Sequence, residues 1–373
     1  MAGLYVHIPF CHSKCSYCDF YSGLRPNVVE DYIDALIAEL HLRKDEISDS
    51  ITTIYFGGGT PSILPVEELK RLINAINNAI DTSRVEEFTI EVNPEDINKD
   101  ILCNYRELGI NRVSIGVQSF NDNLLKSINR CHTSKQAQNA IKHLKDDNWN
   151  YSVDLMFGLP GQTIKDWRYD VDTLMLMRPP HFSAYLLSYE PGTRLYTMLQ
   201  VGKVEEASEQ LASEMQHLIT TAATENGYEH YEISNYSLPD RHSRHNSAYW
   251  TMTPYLGLGA SAHSFDGKLR RINPANIKQY LKALKQGKIV ATIEEETISE
   301  QFNDYIITGL RTINGLSLDI LKQYFPEKYI AKMLDEAAPL ITSGQLILTD
   351  NRLYIPHKYW LKSDAIMRDL ILI

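Results

Sequence analysis

Cys11, Cys15 and Cys18 follow directly on the first strand-like run of the chain, and they are three of its five cysteines. Any fold this chain adopts must hold that loop open so that three thiolates face a common ligand. A structural zinc site takes four ligands, so three cysteines do not close one. They can hold three irons of a [4Fe–4S] cube, a cluster carried by cysteine thiolates. The fourth iron is then free for a small molecule. A catalytic zinc site or three unrelated thiols are the competing readings. The Cys-x3-Cys-x2-Cys spacing, placed just after a strand, argues against both. Cys103, in a helical stretch, and Cys131, after Arg130, read as packed thiols rather than a fourth ligand.

Composition narrows the class of chain. Its 373 residues exceed one ordinary core, so two or three domains are expected. A net charge of −10 argues against a protein that coats nucleic acid. No apolar run approaches the ~18 residues of a membrane-spanning helix. Met1–Val6 enters a strand without a basic leader region, so no signal peptide is read there. Few cysteines, three of them clustered, fit a reducing compartment, and the expected location is cytoplasmic.

The first half alternates strand and helix. Strands are read over Leu4–Phe10, Thr53–Phe56, Glu87–Val92, Arg112–Val117, Tyr151–Phe157 and Phe182–Ser188. Helical periodicity fills the gaps, over Val28–Ile47, Val66–Ile80, Lys99–Leu108, Asp122–Ile128, Ser134–Asp146 and Ile164–Met177. Six β-α units in series imply a parallel sheet in an α/β class. A partial (β/α)6 barrel is the closest architecture, with its site at the C-terminal strand ends.

The unusual residues do follow the strands. The cysteines follow the first. Gly57-Gly58-Gly59-Thr60-Pro61-Ser62 follows the second, and Glu91-Val92-Asn93-Pro94 ends the third. Gln118-Ser119-Phe120 ends the fourth, and Asp154 with Gly158-Leu159-Pro160-Gly161 belongs to the fifth. The glycines let backbone approach a ligand closely. Glu91 can accept from hydroxyls or an ammonium, Gln118 and Asp154 add polar groups, and Arg130 can hold a carboxylate. Each alone reads as a solvated or capping residue, and the glycine triplet alone as a tight turn. Their shared placement favours one rim.

The cysteine spacing is that of the radical S-adenosylmethionine (SAM) superfamily. There SAM chelates the open iron and is cleaved by an electron from the reduced cluster. More closely, the chain resembles the oxygen-independent coproporphyrinogen III dehydrogenase group over most of its length. Tyr5-Val6-His7-Ile8-Pro9-Phe10-Cys11, the Gly57–Ser62 run, Ile90–Pro94, Gly116–Phe120 and Asp154–Thr163 carry the resemblance. It implies SAM contacts from Tyr5, Tyr17, Gly58, Gly59, Thr60, Glu91, Gln118, Arg130 and Asp154, shared between one or two SAM molecules.

Two departures place the chain within that group. The dehydrogenases carry a further cysteine two residues past the third ligand, where this chain has Phe20. They also have an N-terminal extension, whereas the first strand here begins within a few residues of Met1. The pattern is similar to the heme-chaperone branch, the HemW proteins. His245-Asn246-Ser247-Ala248-Tyr249-Trp250 matches that branch's His-Asn-x-x-Tyr-Trp motif, which is linked to heme. Imidazole is a common axial ligand of heme iron, and Tyr249 and Trp250 offer flat faces to a porphyrin. Asn246 suits orienting the imidazole or receiving a propionate. A histidine-aromatic cluster that merely packs a domain edge is the alternative. His242 and His263, the latter in the small-residue run Gly257–His263 that reads as a pocket floor, also compete with His245 as ligand.

Three segments are expected: a radical SAM barrel over 1–190, a family-specific extension with the heme motif over 191–290, and a C-terminal module over 291–373. In the last, helices over Gln301–Arg311, Leu318–Tyr324, Lys328–Thr342 and Ser363–Leu372 surround a hairpin turned at Asp350-Asn351. That pattern is winged-helix-like, and it reads as a cover for the rim or a partner surface. The function implied is a heme chaperone that binds a [4Fe–4S] cluster, SAM and heme. Its partners would be heme and an acceptor hemoprotein, with no nucleic acid. Peripheral contact with membrane-bound heme proteins and a homodimer are further expectations. The competing function is radical oxidative decarboxylation of coproporphyrinogen III. Enzymatic SAM cleavage is left open by the sequence.

Overall fold

The structure, a computed structural model, describes residues 1–23, 26–47 and 49–372. Six parallel strands form its centre: β1 (Ala2–Ile8), β2 (Ile51–Gly58), β3 (Glu87–Val92), β4 (Arg112–Gln118), β5 (Asn150–Phe157) and β6 (His181–Leu186). Between them run α1 (Val29–Arg43), α2 (Val66–Ala79), α3 (Lys99–Glu107), α4 (Asp122–Ser127), α5 (Ser134–Asp146) and α6 (Ile164–Met177). The local chemistry explains the boundaries. Pro9 has no N–H for a ladder and ends β1 two residues before the expected Phe10. Leu69, Leu72, Ile73 and Ile76 give α2 one buried face at helical spacing. Reciprocal capping boxes, Thr133 with Gln136 and Thr163 with Asp166, start α5 and α6.

The sheet continues past the barrel on both sides. Beyond α7 (Arg194–Gln200) and α8 (Glu209–Glu225), β7 (Glu229–Glu232) and β8 (Asn235–Ser237) form a hairpin whose β8 adds antiparallel to β6. After α9 (Arg244–Trp250), β9 (Tyr255–Leu258) adds parallel to β1. β10 (His263–Phe265), β11 (Leu269–Ile272), α10 (Ile277–Leu284) and β12 (Thr292–Glu295) follow, and the whole is one twelve-stranded sheet. The run Gly257–His263 is therefore not a pocket floor. It is a seam against α1: Arg43 donates to the Gly257 carbonyl at 3.0 Å, and Glu39 accepts from Gly259 N at 2.8 Å. Glu39 also accepts from Tyr280 at 2.6 Å, Asn273 at 2.7 Å and Arg43 at 2.7 Å, so the buried pair is saturated. His263 points outward and is exposed.

The barrel interior is polar. Strand residues alternate between faces, and the inward set includes Thr53, Glu87, Thr89, Arg112, Ser114, Ser152, His181 and Ser183, all buried. The outward set is apolar and packs on the helices.

The C-terminal module has its own core, which includes Phe302, Leu321, Met333 and Trp360. It comprises α11 (Ile298–Leu310), α12 (Leu318–Tyr324), α13 (Glu327–Thr342) and α14 (Ser363–Leu370). A small sheet joins them, with β15 (Arg352–Tyr354) between β13 (Leu316–Ser317) and β14 (Ile347–Thr349). The module seats on the β7–β8 turn: Ile233 N donates to the Arg311 carbonyl at 3.1 Å, and Ile313 N to the Tyr231 carbonyl at 3.0 Å.

Candidate functional site

A cavity of about 430 Å³ opens at the C-terminal ends of the parallel strands. The β1–α1 loop brings Cys11, Cys15 and Cys18 to it, all unpaired and half-buried. The loop is held in place by backbone bonds from Ser16 N to the Ile128 carbonyl at 3.0 Å and from Cys11 N to the Gly23 carbonyl at 3.3 Å. Burial pushes the Cys18 thiol up to about 11, and the Cys11 thiol up as well. Such thiols stay protonated until an iron binds them. Among the described residues, no three His, Cys, Asp or Glu side chains converge as a single metal ion would need. A cube offers a separate iron to each cysteine, and all three cysteines line the one cavity. Arg130 supports that fit, since its Nη1 donates to Cys15 Sγ at 3.4 Å. A guanidinium there can donate to the sulfur of an iron-bound thiolate.

The remaining walls come from β2 to β5. Gly58 has φ +106°, and a Cβ on Gly59 would stand 2.6 Å from the Phe10 carbonyl oxygen, so the β2 loop can pass β1 this closely only as glycine. Glu91 accepts from the Tyr55 hydroxyl at 2.7 Å and from Gly58 N at 3.0 Å. Burial raises its pKa to about 7, against the pull of those two donors. Asp154 accepts from Ser183 at 2.8 Å, Ser114 at 3.0 Å and Ser152 at 3.3 Å, and burial likewise raises its pKa. Gln118 adopts φ +68° at a register shift in β4, a bulge that re-aims its side chain. A Cβ on Gly116 would meet Gln118 Nε2 at 3.0 Å and Arg130 Nη2 at 3.3 Å, so this glycine makes room for both.

Tyr17, Gly58, Gly59, Thr60, Glu91, Gln118, Arg130 and Asp154 therefore line the same cavity as the cysteines. Tyr5 does not. Its hydroxyl meets His7 Nδ1 at 3.0 Å and its ring packs on Tyr55 inside the barrel. Arg130 is not free to clamp a ligand carboxylate as one fork. Its Nη2 already donates to Asn93 Oδ1 at 2.9 Å and to the Gly116 carbonyl. Cys103 and Cys131 are both exposed, contrary to the expectation of packed thiols. Cys103 is flanked by Leu102, which takes the buried side of α3. Cys131 lines the cavity mouth with its Sγ 3.0 Å from Ser13 Oγ. Sequence reasoning missed Ser114, Ser152 and Ser183, the three donors on Asp154. Their signal was polar residues at every second position of otherwise apolar strands.

The His245–Trp250 segment lies elsewhere. It forms α9, which packs at the N-terminal ends of β1 to β3, opposite the cluster loop. Glu87 accepts from Arg244 N at 3.0 Å and His245 N at 2.9 Å. The His245 imidazole enters the barrel and is 2% exposed. Its Nδ1 lies 2.8 Å from Thr53 Oγ1 and its Nε2 2.9 Å from the Tyr249 hydroxyl. Burial pushes its pKa down to about 3, so the ring is neutral. In this position neither nitrogen is open to iron. Asn246 and Trp250 are half-buried at the outer side, and Arg311 of the C-terminal module lies over the Trp250 ring at 5.9 Å. His242 is partly exposed and paired with Glu229 at 3.0 Å. Among the described residues, none beyond Glu190 lines the cavity, so the described part of the C-terminal module does not cover the rim. It backs α9 instead.

The radical SAM superfamily model matches residues 5–174. That match carries a [4Fe–4S] cluster and SAM as the superfamily's cofactors. The chain is 34% identical to the heme chaperone HemW of Bacillus subtilis, over 96% of each chain. It is 35% identical to the HemW of Lactococcus lactis, covering 93% of this chain and 91% of that one. Among solved structures, coproporphyrinogen III oxidase (HemN) of Escherichia coli, a radical SAM enzyme, superposes with a TM-score of 0.85. It covers 99% of this chain and 90% of that one at 24% identity, and so shows the shared fold.

Proposed function

Because this chain belongs to the HemW family of radical SAM proteins, we propose that it binds heme and passes it to an acceptor hemoprotein. The observation that carries this reading over porphyrinogen decarboxylation is Phe20. Its ring, 64% exposed at the cavity mouth, stands where the decarboxylating relatives carry their extra cysteine. An apolar ring there offers no ligand or proton to a reacting substrate.

When bound, the cluster supplies a low-potential electron to SAM. The chain's own residues hold and shield that pair. Cys11, Cys15 and Cys18 supply thiolates, and Arg130 balances charge at Cys15. Glu91 is positioned by Tyr55 and Gly58 to accept from SAM's hydroxyls or ammonium. Asp154, held by three serines, and Gln118 complete the polar wall. Heme is assigned to α9, with His245 as ligand, Tyr249 and Trp250 as packing faces and Asn246 beside them. His242 and His263 are the accessible alternatives. His245 reaches iron only after leaving Thr53 and Tyr249. The acceptor is a soluble or membrane-attached hemoprotein met in the cytoplasm. No described helix is long and apolar enough to cross a membrane.

Hemin titration of the cluster-reconstituted protein tests the reading, with coproporphyrinogen III turnover measured in parallel. About one saturable heme per chain and no protoporphyrinogen IX is the expected result. Multiple-turnover decarboxylation without saturable heme binding would instead assign the chain to the dehydrogenases.

A further inference from the structure

We propose that Tyr55 couples the SAM cavity to the heme motif at the opposite end of the barrel, so that SAM and heme weaken each other's binding. This rests on the assignment of heme to His245 and adds to it a link between the two sites.

The tyrosine touches both sites. Its hydroxyl donates to Glu91 Oε1 at 2.7 Å, and the other Glu91 oxygen accepts from Gly58 N on the cavity wall. Its ring stacks on His245 with centroids 5.0 Å apart and planes 25° apart. A second path reaches the same helix. Ser152 Oγ donates to Asp154 at 3.3 Å and lies 2.7 Å from His181 Nδ1. His181 Nε2 lies 2.7 Å from the Tyr231 hydroxyl, which accepts from Ser243 N at 3.3 Å. Ser243 is the N-cap of α9. Both cavity carboxylates are thus connected by contacts to the start of the heme motif.

Two positions of His245 follow from its geometry. In the docked position both ring nitrogens are satisfied inside the barrel. Iron needs one of them, so the heme-bearing position must be undocked, with the Tyr55 stack and the Thr53 bond broken. SAM favours the docked position. A cationic ligand in the cavity favours Glu91 as carboxylate, and a charged acceptor holds a phenol more strongly than a neutral acid does. A firmly held Tyr55 is the better platform for His245. Two ligands that prefer different positions of one element oppose each other, and by linkage the factor is the same in both directions.

The test uses cluster-reconstituted protein kept oxidised, so that SAM binds without cleavage. Hemin is titrated with and without saturating SAM, and SAM with and without heme. The heme Kd should rise about fivefold or more with SAM, and the SAM Kd by the same factor with heme. Tyr55→Phe keeps the ring and loses the hydroxyl, and should bring that factor toward one. Thr53→Val removes the other anchor of His245, so it should tighten heme and shrink the SAM factor, which decides the matter if Tyr55→Phe misfolds. Heme affinity equal or higher with SAM overturns the coupling. An antagonism that survives undiminished in Tyr55→Phe also overturns it, in favour of direct competition within the cavity. Heme binding unchanged in His245→Ala overturns the heme assignment itself, and the coupling with it.

Discussion

Nδ1 of His245 and Oγ1 of Thr53 stand 2.8 Å apart inside the barrel, at the end of the strands opposite the cysteines. The pairing makes the proposed heme motif part of the barrel floor. Its histidine serves the fold in one position and is a candidate ligand in another. His245→Ala should therefore do two separable things. It should lower heme affinity, read from the Soret band. It should also destabilise heme-free protein by about 1–3 kcal/mol, because the Thr53 hydroxyl is left buried without a partner. Urea unfolding measures the second effect. Trp250→Ala should alter the Soret band through lost packing while sparing the ligand.

The cluster prediction is sharper because it concerns composition. Cys11→Ala, Cys15→Ala and Cys18→Ala should each lose the [4Fe–4S] absorbance and the matching iron and sulfide. Cys131→Ala should retain both, although its thiol lines the same cavity. Iron and sulfide counts unchanged in Cys15→Ala would contradict the ligand set.

Glu91 and Gln118 stand on strand ends and touch no cysteine thiol. Glu91→Ala and Gln118→Leu should weaken SAM binding by about tenfold or more, the worth of a hydrogen bond to a charged group. The cluster spectrum should be unchanged. Calorimetry on reconstituted protein measures both affinities, and wild-type values in both variants would misplace the SAM wall.

A pH dependence follows from Glu91, whose pKa burial raises to about 7. Folded protein then holds this proton more tightly than unfolded chain, where the value is about 4.3. That contribution is complete below the unfolded value and is lost as pH rises through about 7. Glu91→Gln cannot lose a proton. It should therefore gain stability relative to wild type between pH 5 and 8 in SAM-free protein, as urea midpoints at several pH values would show. A difference that is flat with pH would mean that Glu91 is already ionised when folded.

The seam between α1 and the Gly257–Gly259 backbone is held by Glu39 and Arg43, both 1% exposed. Glu39→Ala takes one of two carboxylates from the buried Arg43, which keeps Glu46, and removes the acceptor of three further donors. It should cost about 1–3 kcal/mol or more, measured by urea unfolding.

The six β-α units were legible because each helix shows apolar residues at helical spacing and each strand is a short run rich in apolar residues between them. The site was legible for the same reason. Its glycines, Glu91, Gln118 and Asp154 come straight after or within those strands, and topology brings strand ends together. β7 to β12 were not legible, since each is only three or four residues long and too short to show a period. Tyr5 stands within β1, and alternation along the strand turns its hydroxyl to His7 rather than into the cavity. His245 was identified by its motif, but its location was not. Nothing local says that a helix beginning at Arg244 will dock beneath β2, because the carboxylate that receives it, Glu87, is 157 residues away. The C-terminal module was readable as helices with a hairpin, yet its seat at the β7–β8 turn depends on backbone pairing that leaves no pattern in side chains.

Delivery of heme is the central claim, and transfer kinetics test it most directly. Protein loaded with one heme per chain would be mixed with a heme-depleted hemoprotein whose activity returns on reconstitution. Activity should return faster than with the same amount of free hemin, with the donor's Soret band decaying at the same rate, and His245→Ala should carry less heme across. A donor that keeps its heme while the acceptor stays inactive, or that delivers no faster than free hemin, would contradict the account.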